Sequence, residues 1–397
     1  MDINDGRFKL PWKECDRMSQ RMSFITRLQQ SERMTDLCRE FGISRKTGYK
    51  LWNRWRDQGL LALQDQSRAP NRLPHKLPEA IVDAILALKQ EYPTWGAKKL
   101  RAVLPRRHRG IRVPAQSTIH EVLARRGLVK RRKRKRGRAY ATGNLTRPTA
   151  ANELWCADFK GQFRLGDGSL CYPLTVTDGF SRYLIGCEAL EGTRVDPARA
   201  VFEVLFEEYG LPGAIRTDNG VPFATTGLHC WSRLSAWWIK LGIELQRIEP
   251  GHPEQNGQHE RFHLTLKRET TRPAGGNSLQ QQERFDRFQR IFNEQRPHEA
   301  LDMACPASLY KPSERKLAKV AADLEYPLHD LVRRVHTHGH VNLAGKSKPV
   351  YVASALAGEL VGLRELPDEQ WLVTYSTVDL GVYHSRSGVF EPREGSR

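Results

Sequence analysis

No stretch of this chain offers the run of about eighteen apolar residues that a bilayer-crossing helix requires, and its opening residues lack the positive-then-apolar pattern of a secretory leader. Both absences argue against a membrane protein and lead to the expectation of a cytoplasmic, nucleoid-associated one. Cysteine is scarce, with seven in 397 residues and no C-x-x-C pair. That excludes a zinc knuckle or a disulfide framework and predicts reduced, mostly buried thiols. Negative charge is also in deficit: 45 acidic residues face 64 lysines and arginines, for a formal charge of +19 and a pI near 9.8. Such an imbalance favours a polyanionic partner, with nucleic acid ahead of an anionic membrane surface. The length implies two to four domains, and no internal repeat stands out.

What is present begins with "MTDLCREFGISRKTGYKLWNRWRDQG", residues 34–59. Apolar residues at helical spacing precede Gly42, and Ser44 then opens a second helix as its N-cap. The spacing predicts a helix-turn-helix with Leu37, Phe41, Leu51 and Trp55 inside and Arg45, Lys46, Tyr49 and Lys50 on the face turned to a DNA major groove. A second unit follows at 77–129. There "VPAQSTIHEVLARRGLV" places Ser117 as a cap before Ile119, Val122 and Leu123, giving either another DNA-reading unit or a plain helical spacer.

The stretch "KRRKRKRGR" at 130–138 repels itself too strongly to fold alone. It is expected to be a linker whose Lys130, Arg131, Arg132, Lys133, Arg134, Lys135 and Arg136 order on phosphates. From residue 153 the character changes. Three strand-like runs, "ELWCADFKGQF", "LCYPLTVTDGF" and "SRYLIGCEAL", read as an antiparallel meander, and the following runs extend the order to β-β-β-α-β-α-β-α. That order suits a mixed sheet with helices on its faces. Short apolar strands broken by glycine and proline fill residues 330–393 and predict a small β-barrel.

Three acids hold distinctive places. Asp158 lies within the first strand, where an uncompensated carboxylate is costly. Asp218 ends the fourth strand, and Glu260 lies early in the last helix of the sheet region, just past the Asn256-Gly257 break. If the first and fourth strands are neighbours, the three converge and repel one another. A divalent ion relieves that repulsion, and two ions would serve an in-line phosphoryl transfer.

The order Asp158, Asp218, then "PGHPEQNGQHE" ending in Glu260, with Lys267 on the same helix face, resembles the D,D,E integrase core of bacterial insertion-sequence transposases and retroviral integrases. "VTDGFSRY" and "NEQRPHEAL" followed by "CPASLY" add to the likeness, which covers about residues 150–312. The resemblance implies a ribonuclease-H-like core. It also implies Asp158, Asp218 and Glu260 as catalytic and metal-binding residues, Mg²⁺ or Mn²⁺, with two ions, as cofactor, and cleavage at element ends followed by strand transfer into target DNA. Double-stranded DNA is the implied partner, with a homodimer or larger assembly upon it. The whole chain then reads as a helix-turn-helix domain (1–66), a second such domain (77–129), a basic linker (130–149), an α/β catalytic core (150–312) and an all-β barrel (325–393).

Several residues invite competing readings. Glu254 precedes the Asn-Gly break and reads as loop surface. Asp178, before a glycine, reads as turn chemistry, while Asn219 and Gly220 shape the Asp218 turn. His259 and His263 have the spacing of helix zinc ligands but find no completing partners in the sequence, so they, with His252, read as surface or DNA-contacting residues. Lys267 reads as a phosphate contact, and Trp237-Trp238 as core. The chain departs from retroviral integrases in having helix-turn-helix units instead of an N-terminal zinc domain. It also has a longer interval between Asp218 and Glu260, with "TTGLHCWSRLS" as the insertion. Two other functions fit the same motifs: a DNA-binding regulator with an inert core, and a metal nuclease that cuts without joining.

Overall fold

The computed structural model describes residues 17–65, 77–129, 147–248, 257–318, 323–343 and 349–393. The chain divides into two compact units, Met1–Lys76 and Leu77–Arg397. The basic stretch 130–138, and His252 and Glu254, lie outside the described residues.

The first unit packs α1 (Arg17–Gln29), α2 (Met34–Glu40) and α3 (Arg45–Gln58) around Phe24, Ile25, Leu37 and Cys38, with Phe41, Leu51 and Trp55 at the margin. Ser44 caps α3 as anticipated, its Oγ accepting from Thr47 N at 3.2 Å. Gly48 is required where α3 presses on α2, because a Cβ there would lie 2.6 Å from Cys38 Sγ. Arg45, Lys46, Tyr49 and Lys50 are all exposed along one side of α3.

The second unit opens with α4 (Glu79–Glu91), α5 (Ala97–Arg107) and α6 (Gln116–Arg125), whose core is Ile85, Leu88, Trp95, Leu100, Leu104, Ile119 and Leu123. Ser117 does not cap α6. The capping position falls on Ala115, which makes no side-chain cap, and Ser117 sits exposed inside the first turn. The sequence offered a good capping residue, but the helix starts one residue before it. These helices dock on the α/β region: Tyr92 donates to Gln295, Thr94 to Glu269 and Lys98 to Glu299.

The α/β region holds β1 (Leu154–Phe159), β2 (Phe163–Arg164), β3 (Leu170–Asp178), β4 (Leu184–Leu190), α7 (Val195–Tyr209), β5 (Ala214–Thr217), α8 (Arg233–Lys240), β6 (Glu244–Arg247), α9 (Gly257–Thr270) and α10 (Ser278–Arg290). The sheet runs β4-β3-β1-β5-β6, with the short β2 joining the start of β3. β1, β3 and β4 pair antiparallel; β1, β5 and β6 pair parallel. The predicted first and fourth strands, β1 and β5, are therefore neighbours.

Side chains alternate across a strand, so the sheet has two distinct faces. Trp155, Ala157, Leu174 and Val176 point into a core built with Phe202, Phe206 and Trp238 of α7 and α8. Leu184 and Cys187 pack on the other face with Phe262, Leu266, Phe285 and Phe288 of α9 and α10. Trp238 is fully buried and Trp237 lines the same core, as expected of that pair. Of the described cysteines, all are free thiols, and only Cys230 is exposed.

The C-terminal region consists of β7 (Leu331–Arg334), β8 (His340–Val341), β9 (Val350–Tyr351), β10 (Leu360–Leu366), β11 (Gln370–Tyr375), β12 (Val378–His384) and β13 (Val389–Pro392). The expected barrel is corrected here. Five strands form an antiparallel sheet, β13-β12-β11-β10-β7, beside a β8-β9 ribbon, and no pairing among the described residues joins β13 to β7. The apolar face that closure would have covered packs instead on α8, through Ala236 and Ile239, and on Trp231 just before that helix. Lys240 pairs with Glu359 at 2.7 Å at that junction.

Candidate active site

Asp158 and Asp218 are brought together by strand register. Cys156 of β1 is level with Arg216 of β5 in a parallel pair. Asp158 and Asp218, each two residues further on, thus stand side by side at the strands' C-terminal ends. Asp158 shares its face of β1 with Cys156, away from the Trp155 core. Asp218 directly follows β5, and its Oδ1 accepts from Gly220 N at 3.1 Å, while Asn219 donates to Ile248 O. These neighbours shape the turn, as the sequence suggested.

Glu260 is delivered by α9. It lies in the first turn and is exposed, while His259, Phe262, His263 and Leu266 form the buried side of the helix. The Asp158 carboxyl is pushed up to about 7, by burial first, then by the charge of Asp218, with a smaller contribution from Glu260. Lys160 and a backbone hydrogen bond at Phe159 oppose that rise. Three acids from three elements therefore share one electrostatic field. Lys267 joins the neighbourhood: burial first, and then the charge of Lys267, hold Lys160 below the usual lysine range. Lys160 carried no signal in the sequence beyond its nearness to Asp158.

The two histidines correct the sequence reading. His259 is 1% exposed and His263 8%, so they are not surface residues. Thr175, the register partner of Asp158 on β3, places its Oγ1 2.8 Å from Nε2 of each histidine and 3.0 Å from the Asp158 carbonyl. Thr177 Oγ1 lies 3.3 Å from His259 Nδ1. Burial lowers the pKa of His259 to about 3 and that of His263 further, so both are neutral near pH 7. Asp158, His259 and His263 each offer a ligand atom within 4.8 Å of the others. The completing partner absent from the helical spacing comes from β1, and only the tertiary fold supplies it. The signal was available in the alternating threonines of "LTVTD", polar residues on a strand face that would otherwise be apolar.

Asp178 accepts from Asn152 N, Ser181 N and Ser181 Oγ. It is fully buried at the far end of β3 and organises the turn.

Comparison with known proteins agrees with this geometry. The integrase core domain family matches residues 148–253 and 241–306, a helix-turn-helix domain matches 20–71, and a homeodomain-like domain matches 47–123. The uncharacterized 31.7 kDa protein of insertion element IS407 from Burkholderia multivorans is 28% identical over 231 residues, covering 56% of this chain and 78% of its own. The 39.2 kDa protein of IS476 from Xanthomonas euvesicatoria is 29% identical over 179 residues, 45% of this chain and 49% of its own. The chain is an integrase-core transposase with an N-terminal helix-turn-helix region. Among solved structures, the transposase resembles the HTLV-2 integrase catalytic core domain in complex with magnesium (14% identity, TM-score 0.34, 42% of this chain and 100% of that one). It also resembles the simian T-cell lymphotropic virus intasome (15% identity, TM-score 0.37, 74% and 96%). The transposase core combines a mixed sheet with helices on both faces, the ribonuclease-H-like arrangement. No helix among its described residues is long and apolar enough to cross a membrane.

Proposed function

We propose that Asp158, Asp218 and Glu260 hold Mg²⁺ or Mn²⁺, as two ions, and that the transposase cuts at the ends of its element and joins the freed 3′-hydroxyl to target DNA. The observation that carries this reading is the shared field of three acids set on β1, after β5 and on α9, with Asp158 pushed to about 7. Carboxylates crowded to that degree suit a hard cation with oxygen ligands. When bound, a pair of such ions supplies an activated attacking oxygen and a stabilised leaving oxygen for in-line transfer at phosphorus.

The chain's own residues do the rest. Asp158 is held rigidly because its strand is hydrogen-bonded on both sides. Asp218 is oriented by the Gly220 amide. Lys160 and Lys267 present positive charge to a DNA phosphate beside the acids. Arg45, Lys46, Tyr49 and Lys50 of α3 bind element ends in the major groove, Ser117 and α6 make a second contact, and residues 130–136 neutralise phosphates. Bringing two ends to one target favours a homodimer or larger assembly on the DNA.

The test is incubation of purified protein with Mg²⁺ or Mn²⁺ and labelled DNA from the element's ends, wild type beside Glu260→Gln. Metal-dependent nicks and joined products that vanish in the variant are expected. Binding without cleavage by wild type would instead mark a regulator with an inert core; cleavage without joined products would mark a nuclease.

A further inference from the structure

Two motifs that carry the likeness, "VTDGFSRY" and "NEQRPHEAL", meet in the fold. Asn293 accepts from Leu184 N at 2.8 Å and donates to Leu184 O at 2.9 Å, which ties the turn carrying Arg182 to the segment after α10. The docked helices close on the same place, since Tyr92 donates to Gln295 and Lys98 to Glu299, on either side of His298. A basic seam results: the charges of Lys99, Arg296 and Arg182 all reach the His298 ring. The acids within reach are already engaged. Glu269 accepts from Arg296 and Thr94, Glu299 from Lys98, and Asp178 from Asn152 and Ser181. Lys99 and Arg182 are left over. Among the described residues neither side chain makes a hydrogen bond or an ion pair, although both are half-buried and Arg182 Nε is enclosed.

Taking a cation partly out of water is costly unless something compensates it. Burial first, and then the charge of Arg296, bring the Lys99 ammonium down to about 8, which still leaves it charged near pH 7. Burial, with the charge of Arg261 added, holds the Arg182 guanidinium below its usual range. Arg182 also sits at a φ of 64°, a left-handed conformation uncommon for any residue but glycine. A turn that strains its backbone to hold an unpaired guanidinium marks a place where positive charge is used. We propose that Arg182 and Lys99 each seat a backbone phosphate of the element-end DNA, on a strand laid along the seam between the docked helices and the catalytic core. The seam leads toward the acids, because Gln258 Nε2, two residues before Glu260, lies 3.5 Å from Gly179 O of the turn that carries Arg182. A strand held there bridges α5 and the core, so end binding and catalytic alignment share the same contacts. This inference rests on the reading that the transposase binds its element's ends, and the experiment separates the two.

Full-length wild type, Lys99→Met and Arg182→Asn are titrated with labelled element-end DNA at several salt concentrations. Asparagine tolerates the left-handed backbone at position 182. Each variant should bind about tenfold more weakly, with a salt slope reduced by about one. The ends are then rebuilt with a neutral methylphosphonate at one position at a time. One substitution should weaken wild type yet leave Lys99→Met unaffected, and another should do the same for Arg182→Asn. Without DNA both variants should melt no lower than wild type, since each loses a partly desolvated charge that has no partner. A variant that melts lower or fails to fold makes its cation structural and overturns the inference. Equal salt slopes in all three proteins, with end binding and joining intact, overturn it and leave the transposase reading standing. Inorganic phosphate that stabilises wild type but neither variant, with slopes unchanged, would assign the seam to a free anion and overturn the DNA contact. No binding of element ends by wild type overturns both.

Discussion

Arg296 and Glu269 form an ion pair of 2.7 Å with side-chain exposures of 10% and 16%, and Glu269 also accepts from Thr94 of the docked helical segment. A carboxylate in that position serves two elements at once. Replacing it strands a buried guanidinium, which costs far more than losing a surface pair. Glu269→Leu is expected to destabilise the protein by about 3 kcal/mol, read from urea unfolding. A change within about 0.5 kcal/mol would mean that Arg296 finds another partner.

The triad should separate catalysis from binding. Asp218→Asn and Glu260→Gln are each expected to lower strand transfer by about a hundredfold or more, since several kcal/mol of transition-state stabilisation are removed. Affinity for element ends should stay within about threefold of wild type. Gel-shift and joining assays on the same preparations check both parts; full joining by either variant contradicts the assignment.

His298 gives a pH signature. Burial, then the charges of Lys99, Arg296 and Arg182, lower its pKa from the usual 6.5 to about 3. Between those values the unfolded chain takes up a proton that the folded chain refuses, so stability is present above pH 6.5 and is lost as pH falls toward 3. The slope is about 1.4 kcal/mol per pH unit for one group. Denaturation midpoints of wild type and His298→Gln, followed from pH 7 to 4.5, should converge as the pH drops. Parallel curves would show that this ring titrates normally.

On α3, Arg45→Ala with Lys50→Ala should weaken binding to element ends and reduce the salt slope of the affinity by about one for each phosphate that is no longer neutralised. Titrations at two salt concentrations measure this. An unchanged preference for ends would move recognition to α6.

At position 175, the hydroxyl itself is the requirement. Thr175→Val leaves the buried Nε2 atoms of His259 and His263 without the hydroxyl they contact, at about 1–3 kcal/mol for each unsatisfied group. Thr175→Ser keeps all three hydrogen bonds and should lose less than about 1.5 kcal/mol through its missing methyl. Calorimetric midpoints that coincide for the two variants would remove the hydroxyl from this role.

Much of this was legible in the sequence because it depends on local chemistry. Ser44 caps α3, Asp178 and Gly220 build their turns, and alternation along the strands marks the two faces of the sheet. The pairing of β1 with β5 was entertained only as a condition, since register between strands so far apart in the chain is decided by packing. His259 and His263 were misplaced for the same reason. Their spacing on α9 is local, but the threonines and the aspartate that bury them come from β3 and β1. Ser117 misled because a good capping residue does not fix where a helix begins when the preceding turn is set by Pro114 and the core around Ile119. Strand count suggested a barrel, and nothing local told that α8 would cover the exposed face instead.

Glu260, His259 and His263 all arrive on α9, about one hundred residues after Asp158. A frameshift between the end of α6 at Arg125 and residue 257 therefore removes the acid and both histidines of α9 in one event, yet the helices α1 to α6 remain encoded. Decayed copies of such a gene would specify proteins that compete with their intact parent for the same ends, and an element's own debris would become a brake on its spread.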